Sequence, residues 1–378
     1  MKEKHKVFAK GSTGCIISPQ IPCKNRKNKN KNKNKNKNKN KNKNKNKITK
    51  LSLIDEVNEY KIINLIKRRI KNYNKWAVLW DDLCISESYD KLMKYDIQDC
   101  FNENTNRNHF FLMQGTAMGI SLDKYIKINA KKDILLDETK FIKYFKKIFK
   151  LLENVFLGLK ELYNHDICHQ DITSKNILIK NDKTYIIDYD ISVELNEIVD
   201  DNNDIYKRMT NEYKIPRIYE TYPFEYFYYP VSEKNILLNE IKSIENTDNI
   251  INFDEFYKPI NDLFNIDTLS HRYNLLEEKL RNVNYQNIKE LLKKLDTYSL
   301  ASMIIIIFID ACDDLEVDKN IVFNHMKNPE LELYMNLLRD MLTFEYKDRP
   351  SMPSIYKRYL NLINKSKRKS RKTKKKNA

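Results

Sequence analysis

His169-Gln170-Asp171-Ile172-Thr173-Ser174-Lys175-Asn176-Ile177-Leu178-Ile179-Lys180-Asn181-Asp182-Lys183-Thr184-Tyr185-Ile186-Ile187-Asp188-Tyr189-Asp190 decides how this chain is read. Ile177-Leu178-Ile179 and Tyr185-Ile186-Ile187 read as short strands around a turn at Asn181-Asp182, a hairpin that carries polar residues at both ends. Asp171, Asn176 and Asp188 then fall at the spacing of a phosphoryl-transfer site. Such chemistry needs one carboxylate to orient a hydroxyl and accept its proton. It also needs an amide oxygen and a second carboxylate as hard ligands for Mg²⁺. An H-x-D with an Asn five residues later is common on surface loops. An apolar strand ending in Asp, twelve residues further on, makes the combination specific.

The segment resembles the H-R-D-x-x-x-x-N and D-F-G motifs of the eukaryotic-type protein kinases. That resemblance implies an α+β, bilobal, protein-kinase-like fold: a small antiparallel-sheet N-lobe, a mostly helical C-lobe, and ATP with Mg²⁺ in the cleft between them. In that setting Asp171 acts on the substrate hydroxyl, while Asn176 and Asp188 bind the metal and with it the nucleotide.

Other stretches resemble the remaining landmarks in order. Ala9-Lys10-Gly11-Ser12-Thr13-Gly14-Cys15-Ile16 is similar to the glycine-rich loop, with Gly11, Ser12, Thr13, Gly14 and Ile16 expected against the nucleotide. The chain holds only 5 glycines, and two fall here. Lys50, in Ile48-Thr49-Lys50-Leu51, resembles the phosphate-positioning lysine. In the helical run that follows, apolar residues at +3, +4 and +7 from Glu59 place it beside the inward face. Glu59 is the expected ion-pair partner of Lys50, with Glu56 as the alternative. His109 to Met113 reads as a strand leading into Gln114-Gly115-Thr116-Ala117-Met118-Gly119, which resembles the hinge that binds adenine, beginning at Gln114. Phe141 to Tyr163 reads as a long helix running into the catalytic loop. Asp296-Thr297-Tyr298-Ser299-Leu300-Ala301 resembles the start of the buried central helix of the large lobe. The apolar run Met303 to Ile309 is too short to span a bilayer. Arg349, in Lys347-Asp348-Arg349-Pro350, resembles the arginine that pairs with the glutamate closing the activation segment, here Glu225. Small-molecule kinases generally lack that pair, so the resemblance implies a protein substrate.

Composition sets limits. A length of 378 residues accommodates two lobes. The expected boundaries are 1–113 for the N-lobe, with an insertion at about 24–47; 114–363 for the C-lobe, with an insertion at about 230–290; and 364–378 for a tail. The alternating Lys-Asn run from Lys27 to Lys47 and the tail Lys365 to Lys376 together hold twenty basic residues and no acids. They exceed the net charge of +17, so the remainder is slightly acidic. Neither segment has apolar residues to bury, and both are expected to be disordered. The tail would suit a nucleic acid, an acidic surface or a nuclear-import receptor through its charge alone, or serve only solubility. Lys, Asn, Ile and Tyr usage, with these appendages, makes the chain similar to the serine/threonine kinases of giant DNA viruses. Six scattered cysteines without a C-x-x-C pair argue against a zinc site and for free thiols in a reducing compartment. No secretory signal is visible in Met1 to Lys10. The expected setting is intracellular, either host cytoplasm, virion or nucleus, with no membrane partner.

The departures from the family pattern matter as much. Gln170 replaces the arginine of H-R-D, which normally binds a phosphorylated activation loop, so activity is expected without such phosphorylation. Asp190 replaces the glycine of D-F-G. Thr173 stands where serine/threonine kinases carry a lysine, whereas Lys175 stands where receptor-type tyrosine kinases place an arginine. Lys175 is therefore a candidate catalytic side chain, and the hydroxyl class stays open, with serine/threonine favoured by the viral resemblance. The alternative expectation is a catalytically impaired kinase-fold scaffold.

Overall fold

The computed structural model describes residues 5–10, 14–23, 47–52, 58–85, 89–101, 110–197, 260, 263–264, 285–343 and 345–376. The architecture is α+β: antiparallel sheet dominates the N-terminal part and helices the C-terminal part. The chain divides into two compact units, Met1–Gly119 with Ile187–Ile191, and Ile120–Ile186 with Ser192–Ala378. The division follows Gly119 rather than residue 113, and the five residues around Asp188 belong to the first unit.

In the first unit, β1 (Lys6–Lys10), β2 (Gly14–Ser18), β3 (Lys47–Ser52), β4 (Asp82–Ile85) and β5 (Phe111–Thr116) form one antiparallel sheet in the order β1-β2-β3-β5-β4. Register assigns the faces, because side chains alternate along a strand. Cys15, Leu51, Leu112 and Cys84 lie in one cross-strand row, and Ile16, Lys50, Met113 and Leu83 in the next, on the opposite face. The first face closes over Ile17, Ile21, Leu92, Ile97 and Phe110. Helix α1 (Asn58–Arg69) buries Ile62, Ile63, Leu65 and Ile66. Gly14 is needed for backbone approach: a Cβ there would stand 2.0 Å from the Leu51 carbonyl oxygen. A short helix α2 (Tyr89–Leu92) follows β4.

Cysteine pairing corrects the free-thiol expectation. Cys15 is bonded to Cys100 and Cys23 to Cys84, with Cα separations of 5.8 and 5.9 Å. Cys168 and Cys312 are free and buried. Sequence separations of 85 and 61 residues hid these pairs, which form because the fold of the first unit brings distant segments together. Disulfides persist in oxidising surroundings, so the cysteine-based argument for a reducing compartment no longer holds.

The second unit contains a three-stranded sheet, β6 (Ile120–Ser121), β8 (Ile177–Lys180) and β9 (Lys183–Ile186), and the pair β7 (Ile167–Cys168) with β10 (Val193–Glu194). Helices α3 (Leu122–Asn129), α4 (Lys132–Leu136), α5 (Glu138–Leu151) and α6 (Glu153–Asn164) precede the stretch from His169 to Asn176. Helices α7 (Tyr285–Asp314), α8 (Lys319–Met326), α9 (Glu332–Met341) and α10 (Met352–Lys376) complete the unit. The expected single helix from Phe141 to Tyr163 is two, broken at Leu152. The carbonyls that end α5 find outside donors: Thr184 Oγ1 donates to Leu151 at 2.9 Å, and the Tyr359 hydroxyl to Phe149 at 3.0 Å and Lys150 at 3.3 Å. Capturing carbonyls from outside lets a helix break without leaving buried acceptors unmet.

Helix α7 begins eleven residues before Asp296, which lies inside it rather than at its start. Its segment Lys289–Asp314 is long and apolar enough by composition to cross a membrane, but 83% of that window is buried within the protein. The apolar run Met303–Ile309 is thus part of a core helix. Likewise the tail expected to be disordered continues α10 as helix to Lys376. Lys and Arg are good helix formers, and the packed first turns, with Ile355, Tyr359 and Ile363 buried, supply the costly nucleus. The Lys-Asn run up to residue 46, Glu56, Glu225 and most of the expected 230–290 insertion lie outside the described residues.

Candidate active site

In the first unit, one lysine gathers three carboxylates. Lys50 Nζ, from β3, donates to Glu59 Oε2 at 2.8 Å, to Asp188 Oδ1 at 3.2 Å and to Asp190 Oδ2 at 2.7 Å. Lys50 and Glu59 are almost fully enclosed, with side chains 8% and 2% exposed, whereas Asp190 is 20% and Asp188 40% exposed. Glu59 is therefore the partner of Lys50 despite the nine-residue spacing. The close spacing works because β3 ends at Ser52 and α1 begins at Asn58, so Glu59 sits in the first turn over the Lys50 face. Asn58 Nδ2 donates to the Asp190 carbonyl at 2.8 Å, which ties the same turn to the Asp188 segment. Glu59 Oε1 receives the indole N–H of Trp80 at 3.0 Å.

One ammonium among three carboxylates leaves an excess of negative charge, and the protonation equilibria respond to it. Burial pushes Lys50 toward its neutral form, but Glu59, Asp188 and Asp190 more than offset this and hold it well above the ordinary lysine range. Burial pushes Glu59 up to about 8; Lys50 opposes that shift, and Asp190 and Asp188 reinforce it. Asp188 is raised by burial, lowered by Lys50 and raised again by Asp190. Oxygen atoms of Glu59, Asp188 and Asp190 all lie within 4.8 Å of one another. Hard carboxylate donors with unbalanced charge fit a hard divalent cation such as Mg²⁺, and Asp188 is the most accessible of the three.

The second unit holds the other chemical group. Asn176 Nδ2 donates to the Asp171 carboxylate at 2.6 Å and to the Asp171 carbonyl at 3.0 Å. The amide nitrogen is thereby committed to Asp171, which leaves the amide oxygen as the atom suited to a metal. The backbone N–H of Asp171 donates to His169 Nδ1 at 3.2 Å. Beneath the loop, Asp296 of α7 accepts the backbone N–H groups of His169 and Gln170 at 2.7 and 2.9 Å. Burial raises Asp296 to about 6, although those two N–H groups favour its charged form. Ser192 Oγ donates to the His169 carbonyl at 3.1 Å. Lys175 is exposed on the 3-10 turn Ser174–Asn176, between the two polar residues. In this loop Gln170 sits at positive φ, 66°, and in the first unit Asp188 does so at 65°. Such conformations cost energy and collect at functional sites.

One expectation needs correction. Gln114 is not at the start of a hinge but inside β5, which runs to Thr116. Its carbonyl accepts Asp81 N–H at 2.7 Å and its side-chain amide donates to the Ile21 carbonyl at 2.8 Å, on the face away from Lys50. The carbonyl and the amide nitrogen are thus engaged inside the sheet. Arg349 is 1% exposed and gives Nε and a terminal N–H to the carbonyls of Thr343 and Lys294, at 3.0 and 3.3 Å. Its expected partner Glu225 lies outside the described residues, as do Gly11, Ser12 and Thr13. Ile16 and Gly14 are placed in β2, with Ile16 directly across from Lys50.

The sequence reading missed three contributors. Asp296 was read as a helix marker, not as the acceptor that holds the His169–Gln170 backbone. Asp190 was read as a departure from pattern, not as a partner of Lys50. Trp80 carried no motif at all; its one signal was that the chain has just 2 tryptophans. No family model matches the chain, and comparison with curated proteins finds no match.

Proposed function

We propose that the chain is a protein kinase of bilobal, protein-kinase-like fold, transferring the γ-phosphate of ATP to serine or threonine hydroxyls of a protein substrate. The observation that carries this is the bonding of one buried lysine to a helix glutamate and to the aspartate that ends the hairpin strand. A bare loop motif would not require Asp188 to meet a lysine 138 residues earlier in the chain. Lys50 binds the phosphates and Glu59 keeps its ammonium oriented. Asp171, aligned by Asn176, orients the substrate hydroxyl and accepts its proton. Asp188 and the Asn176 amide oxygen are each hard donors suited to Mg²⁺, which would supply charge neutralisation on the phosphate oxygens. Catalysis of this kind rests on positioning and electrostatics more than on covalent chemistry.

A second reading, a nucleotide-binding scaffold without transfer, is favoured by one contact. Asp190 holds Lys50 at 2.7 Å, closer than Asp188 does, and so competes with the phosphates. Purified protein incubated with labelled ATP, Mg²⁺ and a generic protein substrate separates the two. Transfer that is lost in Asp171→Asn and in Asp188→Asn supports the kinase. Equal transfer by wild type and both variants refutes these assignments, and binding of ATP without transfer establishes the scaffold.

A further inference from the structure

We infer that Trp80 is a positioning residue for the Lys50–Glu59 pair, its indole N–H holding the carboxylate in the orientation that presents Oε2 to the ammonium. The inference rests on the kinase reading for its effect on rate, but not for its structural content.

A buried carboxylate has two oxygens to satisfy, and an ion pair through one of them leaves the other able to rotate away. In Glu59 the oxygens are divided: Oε2 faces Lys50 at 2.8 Å and Oε1 receives Trp80 Nε1 at 3.0 Å. The backbone N–H of Tyr189 is also near Oε1, at 3.5 Å, the limit of a hydrogen bond. The tryptophan thus supplies the well-formed donor that fixes the carboxylate plane. Its own position is set from three sides. Lys67, two turns after Glu59 on α1, donates Nζ to the Trp80 carbonyl at 2.5 Å. Asp81, the next residue, is bonded through its N–H to the Gln114 carbonyl. The ring lies over Gly115 of β5, where a Cβ would come within 2.7 Å of the indole. Gly115 and Lys50 face the same side of the sheet, since Gly115 pairs with Ile48, two residues before Lys50. The absent side chain is therefore the space the indole occupies. A residue needed only to fill that space would not require a donor nitrogen aimed at the glutamate.

The test uses the full chain labelled with ¹⁵N in its indoles. Two indole N–H resonances are expected, from Trp76 and Trp80, and Trp80→Phe identifies the second by deleting it. Glu59→Ala removes the charged acceptor and should move the Trp80 resonance upfield while leaving that of Trp76 in place. In the transfer assay, Trp80→Phe keeps the ring over Gly115 but lowers the rate about tenfold, the size of one charge-assisted hydrogen bond. In a Glu59→Ala background the same change should cost nothing further. A Trp80 resonance indifferent to Glu59→Ala, or an equal loss from Trp80→Phe in both backgrounds, overturns the inference. If Glu59→Ala does not fold, Gly115→Ala replaces it: displacing the ring should move the same resonance and reproduce the tenfold loss, and no shift refutes the inference. Should wild type transfer no phosphate, the kinase reading fails and the resonance alone decides the role of Trp80.

Discussion

Replacing Asp190 with alanine should tighten the binding of Mg·ATP, and the reason lies in the competition for Lys50. The ammonium has three donors, and in this structure they are taken by Glu59, Asp188 and Asp190. A phosphate oxygen reaching Lys50 must displace one of them. Glu59 is locked in place by its enclosure and by Trp80, so the aspartates must yield, and Asp190 makes the shorter bond. A hydrogen bond to a charged group contributes about 1.5–3 kcal/mol net. Asp190 is 20% exposed, so the lower end of that range applies. Giving up such a bond weakens nucleotide affinity by about tenfold, since 1.4 kcal/mol is a factor of ten. Removing the carboxylate removes that cost, and also removes one like charge facing the phosphates. Isothermal titration calorimetry with Mg·ATP, wild type beside Asp190→Ala, reads the change directly. Unchanged or weaker affinity in the variant would refute the reasoning and mark Asp190 as a group that helps hold the cation.

The remaining predictions concern linkage, packing and covalent structure. Glu59 has a folded-state pKa raised to about 8 from an ordinary value near 4.5, so the stability it contributes is present below about 4.5 and is lost as pH rises through about 8. Without divalent cations, the thermal midpoint of wild type should fall across that window relative to Glu59→Gln, which does not titrate there; parallel curves would contradict the assignment. Added Mg²⁺ should raise the wild-type midpoint less as pH falls, because protons and metal compete for the oxygens of Asp188, whose carboxyl is also raised. Gly14→Ala must push β2 from the Leu51 carbonyl and should destabilise the protein by about 1–3 kcal/mol in urea unfolding; an unshifted midpoint would show that the sheet yields freely. Reducing the disulfides Cys15–Cys100 and Cys23–Cys84 should cost about 2–4 kcal/mol for each bond broken. Alkylation before and after reduction, read by mass spectrometry, should show four newly reactive thiols, and no gain in reactive thiols would remove the disulfides.

Much of the site was legible because its chemistry is local. Asp171 and Asn176 lie five residues apart, and their side chains meet across one turn, as the spacing implied. Glu59 was legible because helical periodicity marks which side of α1 faces inward. Gln114 was misread because strand ends are set by pairing. β5 extends to Thr116 since Lys47 and Ile48 of β3 are there to receive it, and no residue within β5 announces that. The helix break at Leu152 was hidden for a similar reason: the donors that cause it, Thr184 and Tyr359, come from 33 and about 209 residues away.

Residue order by itself determined the alternation of polar and apolar positions, the α+β composition, and the meeting of Asp171 with Asn176. Those properties depend on neighbours a few residues apart. Tertiary structure alone decided which cysteines bond, which face of the sheet Lys50 occupies, that Asp190 contends for it, and that Trp80 braces Glu59. Each of these depends on sheet order and on the close approach of distant segments, which short-range periodicity does not encode.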